Sequence, residues 1–207
     1  MSSGYTATCA AEDMYEAWAW LAVLHIASHS GWTGRLENVA GPPPALKLRR
    51  GPGVIYSSTP FTYAVLTTSG TPTGEEKEVE VHLGIKIAGC SGIGHELDVV
   101  VVTRDGARRA RAAKSHPGRR DVVLQLECKL FSGDLKLPLA RQMVGLTVDC
   151  MLGARGHLMS RFSASPNFDA LLGHYDVSAI YQAYPGQAGE ASLLGRILRA
   201  LEHHRLS

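Results

Sequence analysis

The chain lacks the sequence features that mark several large classes of protein. Its four cysteines form no CxxC pair and stand far apart, at Cys9, Cys90, Cys128 and Cys150. This spacing argues against a zinc knuckle or a disulfide framework and favours reduced thiols in the cytoplasm. No apolar run approaches the roughly 18 residues of a membrane span, and the N-terminus lacks the basic start of a signal peptide. We therefore expect a cytoplasmic protein that has no membrane partner.

Several familiar catalytic motifs are missing as well. There is no Walker A loop and no HExxH pair, which excludes the P-loop nucleotide site and the common helical zinc site. Ser91 stands in the glycine-rich stretch 89–94, but Ile93 occupies the position where a nucleophile elbow needs a glycine. We therefore interpret residues 89–94 as a tight turn and not as the nucleophile site of a hydrolase.

Size and overall charge place only loose limits on function. With 207 residues, of which 45% are hydrophobic and 19% charged, the chain is long enough for one domain, residues 1–207, with a substantial core. The formal net charge of +2 is too small to indicate a nucleic-acid partner by itself. Any functional signal must therefore come from where the charges lie along the chain.

Two apolar stretches, residues 95–102 and 122–129, carry ionisable side chains at intervals of two. Alternate residues of a strand face the same side of a sheet. The residues that share a face are Glu96 with Asp98 in the first stretch, and Gln125 with Glu127 and Lys129 in the second. Charges in a buried strand are costly unless they are paired or bound to metal. The pattern predicts that carboxylates and a lysine from two strands meet at one site.

The residue types at this predicted site suit phosphodiester hydrolysis. Mg²⁺ is held in proteins by one or two carboxylates together with substrate phosphate and water, and Asp98 and Glu127 are the candidate ligands for Mg²⁺ or Mn²⁺. Lys129 would orient or deprotonate the attacking water, or stabilise the pentavalent phosphorane. Three alternatives stay open. Glu96 could replace Asp98 as a ligand, or His95 could bind metal or phosphate. The cluster could also be only an ion pair at a sheet edge.

Positive charge is concentrated between the two charged stretches. Residues 104–121 hold seven basic side chains and two acids, a local net charge of +5, so the remainder of the chain carries −3. The basic residues are Arg104, Arg108, Arg109, Arg111, Lys114, Arg119 and Arg120. We predict a basic loop that contacts the phosphates of a nucleic acid. The alternative is a solvated, mobile hairpin whose charges only favour solubility.

Hydrophobic periodicity predicts an α/β (α+β) fold with a mixed central sheet flanked by helices. A loose leader at 1–11 precedes the first helix, and a proline- and glycine-rich connector occupies residues 38–53. Helices are predicted at 12–28, 137–151 and 193–204, and strands at 54–68, 79–88, 95–102, 122–129, 156–164 and 176–181. The helix at 137–151 would connect two parallel strands by a right-handed crossover.

An acid-bearing strand followed by an apolar strand with Glu-x-Lys resembles the core motif of the PD-(D/E)XK nuclease superfamily. Asp98 matches the first acid, and Glu127-Cys128-Lys129 matches the (D/E)xK element. The two strands look most like those of Mrr- and NERD-type nucleases and of the nuclease domains of CRISPR-associated effectors. The resemblance covers about residues 12–164. It implies a Mg²⁺- or Mn²⁺-dependent nuclease with the restriction-endonuclease-like αβββαβ core, and makes residues 165–207 a C-terminal extension that carries a helix.

Two further residues enter through this resemblance. Glu16 lies in the segment Met14-Tyr15-Glu16-Ala17-Trp18, which is similar to the helix that opens such domains and whose glutamate can join their metal site. Gln142 resembles the helix glutamine of RecB-like members. The chain departs from the family pattern because no proline precedes the first acid, and because the link from Asp98 to Glu127 is long and basic.

The resemblance also implies a nucleic acid as the substrate, with DNA favoured over RNA, in bacterial defence or nucleic-acid processing. Target choice would come from the basic loop, from residues 165–207, from pairing of two copies as a homodimer, or from a separate targeting subunit, because the sequence shows no winged-helix reader or helicase. A rival interpretation is a catalytically silent module that keeps the nuclease fold for binding or assembly, or a subunit that a partner activates.

Overall fold

The computed structural model describes residues 11–41, 46–130 and 133–207. Within them, a seven-stranded mixed sheet is flanked by five α-helices, which confirms the α/β fold class. The predicted leader, apart from its last residue, lies outside the described ranges, as do Cys9 and part of the predicted connector. No helix in these three ranges combines the length and apolarity needed to cross a bilayer.

The elements follow an order close to the predicted one. The helices are α1 Ala11–His29, α2 Arg104–Ala112, α3 Leu137–Asp149, α4 Pro166–His174 and α5 Ala188–Leu206. The strands are β1 Thr33–Asn38, β2 Thr62–Thr68, β3 Lys77–Ala88, β4 Gly94–Thr103, β5 Val122–Lys129, β6 Gly156–Ser160 and β7 Ser178–Ile180. Short 3₁₀ turns at Arg119–Asp121 and Gly153–Arg155 lead into β5 and β6.

Neighbouring strands of the sheet are also neighbours in the chain, from β1 at one edge to β7 at the other. Strands β1 to β5 pair antiparallel, whereas β5, β6 and β7 run parallel to one another. Parallel neighbours need a crossover connection, which α3 and α4 provide. The predicted parallel crossover at residues 137–151 is confirmed, and it brings Lys129 at the end of β5 beside Ser160 at the end of β6.

Helices α1 and α5 pack together on one face of the sheet, where their apolar residues share a core with β2 to β5. Trp20 of α1 is buried, and its Nε1 donates a hydrogen bond to the carbonyl of Val81 in β3 at 3.1 Å. Tyr15 donates its hydroxyl proton to the carbonyl of Ala183 at 2.7 Å. These two long-range bonds fix α1 on the sheet, and with it the position of Glu16.

In the long hairpin of β3 and β4, the side chains of β3 switch from one face of the sheet to the other at Gly84. Leu83 packs into the core under α1 and α5, whereas Ile85, two residues later, packs into a second core that α2 covers. Gly84 has a φ of +54°, and a Cβ there would lie 2.8 Å from the carbonyl oxygen of Gly51, so glycine is needed at this position. The register on either side places Gly84 across from Asp98. The change of face therefore occurs at the level of the candidate site.

The structure differs from the predicted elements mainly at four places. The predicted basic loop begins as helix α2, whose first turn is capped by Thr103 Oγ1, which accepts a hydrogen bond from the amide of Gly106. The predicted strand at 54–68 begins only at Thr62, after Pro60, which lacks a backbone donor. Strand β1 and helix α4 have no counterpart among the predicted elements. Strand β1 is a mostly exposed edge strand without an apolar alternation, and α4 is only nine residues long.

A buried ion-pair network attaches α2 to the sheet. Glu80 of β3 is fully buried and accepts hydrogen bonds from Arg104 at 2.7 Å, from Arg111 at 2.8 Å and from Nε2 of His82 at 2.7 Å. Burial raises the pKa of Glu80, but the hydrogen bonds from His82 and Arg111 outweigh it and lower that pKa to about 2. Two of the predicted phosphate-binding arginines thus hold the fold together.

We expect Glu80→Gln to lower the free energy of unfolding at pH 7 by about 3 kcal/mol, because it leaves buried charges without their partner. The folded-state pKa of Glu80 lies below its ordinary value of 4.5. Its contribution is therefore fully present above pH 4.5 and is lost as the pH falls toward 2. Urea denaturation of both proteins from pH 7 to pH 2 measures this. Glu75→Gln, at an exposed site, is the control, and an equal loss in both variants would contradict the role of Glu80.

Candidate active site

Asp98 and Glu127 come opposite each other where the β4–β5 ladder ends. The last cross-strand pair before this point joins Val99 to Leu126. Beyond it, Asp98 Oδ2 accepts a hydrogen bond from the backbone N–H of Cys128 at 2.8 Å. A side-chain carboxylate therefore takes the place of the main-chain acceptor that a continued ladder would offer to this amide.

Lys129 lies between the two acids. Its Nζ is 2.7 Å from Glu127 Oε1 and 3.5 Å from Asp98 Oδ2. The three side chains are only 13–22% exposed, so solvent screens their interaction poorly. Burial lowers the pKa of Lys129, but Glu127 and Asp98 outweigh it and raise that pKa well above its ordinary value. The structure thus brings together the three residues that the two charged strands predicted, with Lys129 as an ammonium.

Lys129 does not cancel the effects that disfavour the charged form of Glu127. Burial, followed by the charge of Asp98, raises the pKa of Glu127 well above its ordinary value even though Lys129 opposes the shift. Gln125, fully buried two residues earlier, donates its Nε2 proton to Glu127 Oε2 at 3.2 Å. This bond holds the carboxylate in place and leaves its other oxygen to Lys129.

Two more acids contribute to the same electrostatic field. Burial and the charge of Asp98 raise the pKa of Glu16 in α1 to about 8, while Lys129 opposes this shift. Burial and Asp98 also raise the pKa of Glu96. Glu16 and Glu96 therefore both lie close to the pair formed by Asp98 and Lys129. The alternative in which Glu96 serves as a ligand therefore stays open.

Gln142 lies beside the acids in a cleft of about 260 Å³. The cleft is lined by Glu127 and Lys129 from β5 and by Leu139, Gln142, Met143 and Leu146 from α3. Because α3 is the crossover helix after β5, the chain returns over β5 and presents Gln142 beside Glu127 and Lys129. The glutamine predicted from the family resemblance thus shares a cleft with two of the three central residues.

His95 and Ser91 belong to a separate polar cluster. Asp149, at the end of α3, accepts hydrogen bonds from Ser91 Oγ at 2.6 Å and pairs with His95 Nε2 at 2.5 Å. These bonds lower the pKa of Asp149 to about 2. Because both side chains bind the same carboxylate, no Ser–His hydrogen bond exists here. The cluster fastens the β3–β4 turn to α3, which agrees with the interpretation of residues 89–94 as a turn.

The seven predicted phosphate-binding residues fall into two groups. Four of them are engaged in ion pairs: Arg104 with Glu37 and Glu80, Arg108 with Glu78, Arg109 with Asp121, and Arg111 with Glu80. Lys114, Arg119 and Arg120 have no ion-pair partner within the described ranges. Arg104 follows Asp98 by six residues of strand, about 20 Å of rise. The structure therefore does not bring the first turn of α2 next to the acids.

One component of the site had no sequence signal. The amide of Cys128 is a backbone group, and its role as the donor to Asp98 appears only once the ladder is seen to end there. Gln125 could have been found, because its position two residues before Glu127 places it on the same face of β5.

A divalent cation fits this donor set. No group of three or more His, Cys, Asp and Glu side chains is arranged as a complete metal site in the part of the chain that the structure describes. Two carboxylates suffice when phosphate and water complete the shell, and Asp98 and Glu127 supply them. Burial first, and the charge of Asp98 second, raise the pKa values of Glu16, Glu96 and Glu127, and a cation would oppose both effects by stabilising the charged carboxylates.

Comparisons with known proteins leave the function open. No family model matches the chain, and no curated protein matches it. Among solved structures, the chain is similar to a protein of unknown function, AF1548, with a TM-score of 0.36 and 18% identity. The similarity covers 56% of this chain and 56% of that one, so it spans little more than half the length of either. Function must therefore be argued from the side chains of the site.

We expect Glu16→Gln to raise the free energy of unfolding at pH 9 by on the order of 2 kcal/mol. The folded-state pKa of Glu16, about 8, lies above its ordinary value of 4.5. Its ionisation therefore destabilises the folded protein above pH 8, and this penalty disappears below pH 4.5. Urea denaturation in EDTA at pH 9 and pH 4.5 measures the difference. Glu12→Gln, at an exposed position of the same helix, is the control and should show no such pH dependence.

Proposed function

We propose that this protein is a Mg²⁺- or Mn²⁺-dependent nuclease of the PD-(D/E)XK type. The observation that carries the proposal is the meeting of the Asp98 and Glu127 carboxylates at Lys129 Nζ, at 3.5 and 2.7 Å, in a poorly solvated site. Asp98 and Glu127 would hold the cation. When bound, the cation would supply charge relief for the phosphate and a water of lowered pKa.

The charge state of Lys129 selects among its predicted roles. Because its pKa is raised by Glu127 and Asp98, Lys129 remains protonated and is unsuited to deprotonate a water. An ammonium at this position donates hydrogen bonds, so it orients the attacking water or stabilises charge on the phosphorane. The pKa of Glu16 is about 8, which is close to neutral pH. Such a pKa suits a group that accepts or returns a proton.

Substrate binding draws on the cations that the fold does not use. Lys114, Arg119 and Arg120 have no ion-pair partner within the described ranges and are proposed to contact phosphates of the nucleic acid, with DNA favoured over RNA. The ion-paired Arg104 and Arg111 are proposed to act only by holding α2 in place. We also propose a cytoplasmic location, and a second copy or a targeting subunit as the source of target choice.

We expect Asp98→Asn, Glu127→Gln and Lys129→Met each to reduce metal-dependent cleavage at least about 100-fold, because each removes a charge that stabilises the transition state. The assay incubates purified protein with supercoiled plasmid, linear duplex, single-stranded DNA and RNA, in Mg²⁺, Mn²⁺ or EDTA. Unfolding curves verify that each variant is folded.

Matched exposed substitutions serve as controls for this assay. Asp105→Asn and Lys136→Ala change the same residue types at exposed positions and should cleave like the unaltered protein. Cleavage that persists in all three site variants would contradict the proposal. No cleavage of any substrate by the folded, unaltered protein would shift the assignment to a silent module or to a subunit that a partner activates.

A further inference from the structure

A second and larger cleft lies along β5, away from the candidate active site. It measures about 590 Å³ and is walled by residues of β5, of the turn before β6, and of α5. Val123, which lines it, precedes Glu127 by four residues of strand, about 13 Å of rise. The acids of the candidate active site do not line this cleft, so the two sites are chemically separate.

Four arginines line the cleft, and no Asp or Glu is among its lining residues. They are Arg120, Arg155, Arg196 and Arg199, and His203 and His204 stand beside them on α5. Arg155 donates hydrogen bonds to backbone carbonyls only, including that of Val122 at 2.7 Å, so its charge is not neutralised. In the three described ranges, no carboxylate pairs with Arg120, Arg196 or Arg199. The cleft therefore has a positive potential that no acidic side chain of its wall cancels.

His157 gives the cleft a buried polar group without a partner. Its side chain is 2% exposed, yet it lines the cleft, and its Nδ1 has no hydrogen-bond partner within the described ranges. Burial, followed by the charges of Arg196 and Arg199, lowers the pKa of His157 to about 4, so the ring is neutral at pH 7. The Nε of Arg196 is also buried without a partner in the described residues. Buried polar atoms without partners are rare in folded proteins.

The remaining wall of the cleft is mostly apolar. Its apolar residues are Val122, Val123, Met151, Leu152, Ala154 and Ala200, and its two further polar residues are Thr103 and Ser207. A site that combines a few convergent polar groups with apolar walls and a volume of about 300–1,000 Å³ is typical of small-molecule binding. Arginine is the residue that recognises phosphate groups by paired hydrogen bonds.

We propose that this cleft binds a phosphorylated small molecule of nucleotide size. Its phosphates pair with Arg196 and Arg199, while its uncharged part lies against the apolar wall and next to His157. The depth at which His157 and Arg196 lie favours a compact ligand over a nucleic-acid chain, because a chain passing over the surface would leave them unsatisfied. The inference does not depend on the proposed nuclease function, since no residue of the acid cluster takes part.

The test measures binding by isothermal titration calorimetry in EDTA with three probes: ATP, inorganic tripolyphosphate and a twelve-nucleotide single-stranded DNA. We expect ATP to bind more tightly than tripolyphosphate because only ATP has an uncharged part to bury. Arg199→Glu and Arg196→Glu should each weaken ATP binding at least about tenfold. Arg141→Glu makes the same charge change at an exposed site outside the cleft and should leave the affinity unchanged.

Three outcomes would overturn the proposal. The first is that ATP does not bind. The second is that ATP binding weakens equally in Arg141→Glu and Arg199→Glu. The third is that only the oligonucleotide binds and that it loses affinity in the arginine variants. The last result would make the cleft part of a nucleic-acid surface. Arg199 is exposed and has no ion-pair partner in the described residues, so its variant should fold, and urea denaturation verifies this.

Discussion

The hydrogen bond from the Cys128 amide to the Asp98 carboxylate fixes the geometry of the candidate site. It forms where β4 and β5 cease to pair, after Val99 and Leu126. A ladder that continued would present a carbonyl to this amide, and Asp98 would not need to turn toward β5. Because the carboxylate replaces the carbonyl, a charged group is held at the centre of the sheet. Gly84 of β3 lies across from Asp98 and has a positive φ. This backbone conformation allows the β3–β4 hairpin to leave the main sheet there.

Two clusters of buried acids in this fold behave in opposite ways. Glu80 has a pKa lowered to about 2, because the hydrogen bonds from His82 and Arg111 outweigh its burial. In the cluster around Asp98, burial first and the charge of Asp98 second raise the pKa values of Glu16 and Glu127, and Lys129 opposes these shifts without cancelling them. A satisfied cluster stabilises the fold, whereas buried acids with raised pKa values cost stability and are typical of functional sites. This contrast supports the proposal that the cluster around Asp98 holds a cation, whereas the network around Glu80 is structural.

The sequence could predict the central residues of the site but not the surroundings of the basic segment. Alternation along β4 and β5 places Asp98, Glu127 and Lys129 on converging faces, and this local rule holds because both strands are regular at that point. The arginines of α2 could not be assigned in the same way. Their partners Glu37 and Glu80 lie up to 67 residues earlier in the chain. A run of positive charge does not show whether it faces solvent or acids brought together by the fold.

The small net charge of the chain conceals a strong separation of charge along β5. Glu127 and its neighbouring acids lie near one end, and Arg120, Arg155, Arg196 and Arg199 lie near the other. Seen from a phosphate, the acid end repels and the arginine end attracts. A polyanion would therefore approach the acid cluster only if a cation neutralised it, whereas a phosphorylated ligand needs no metal to enter the arginine cleft. The two proposed sites on this strand would thus differ in their dependence on a divalent cation, and this difference would let them be studied separately.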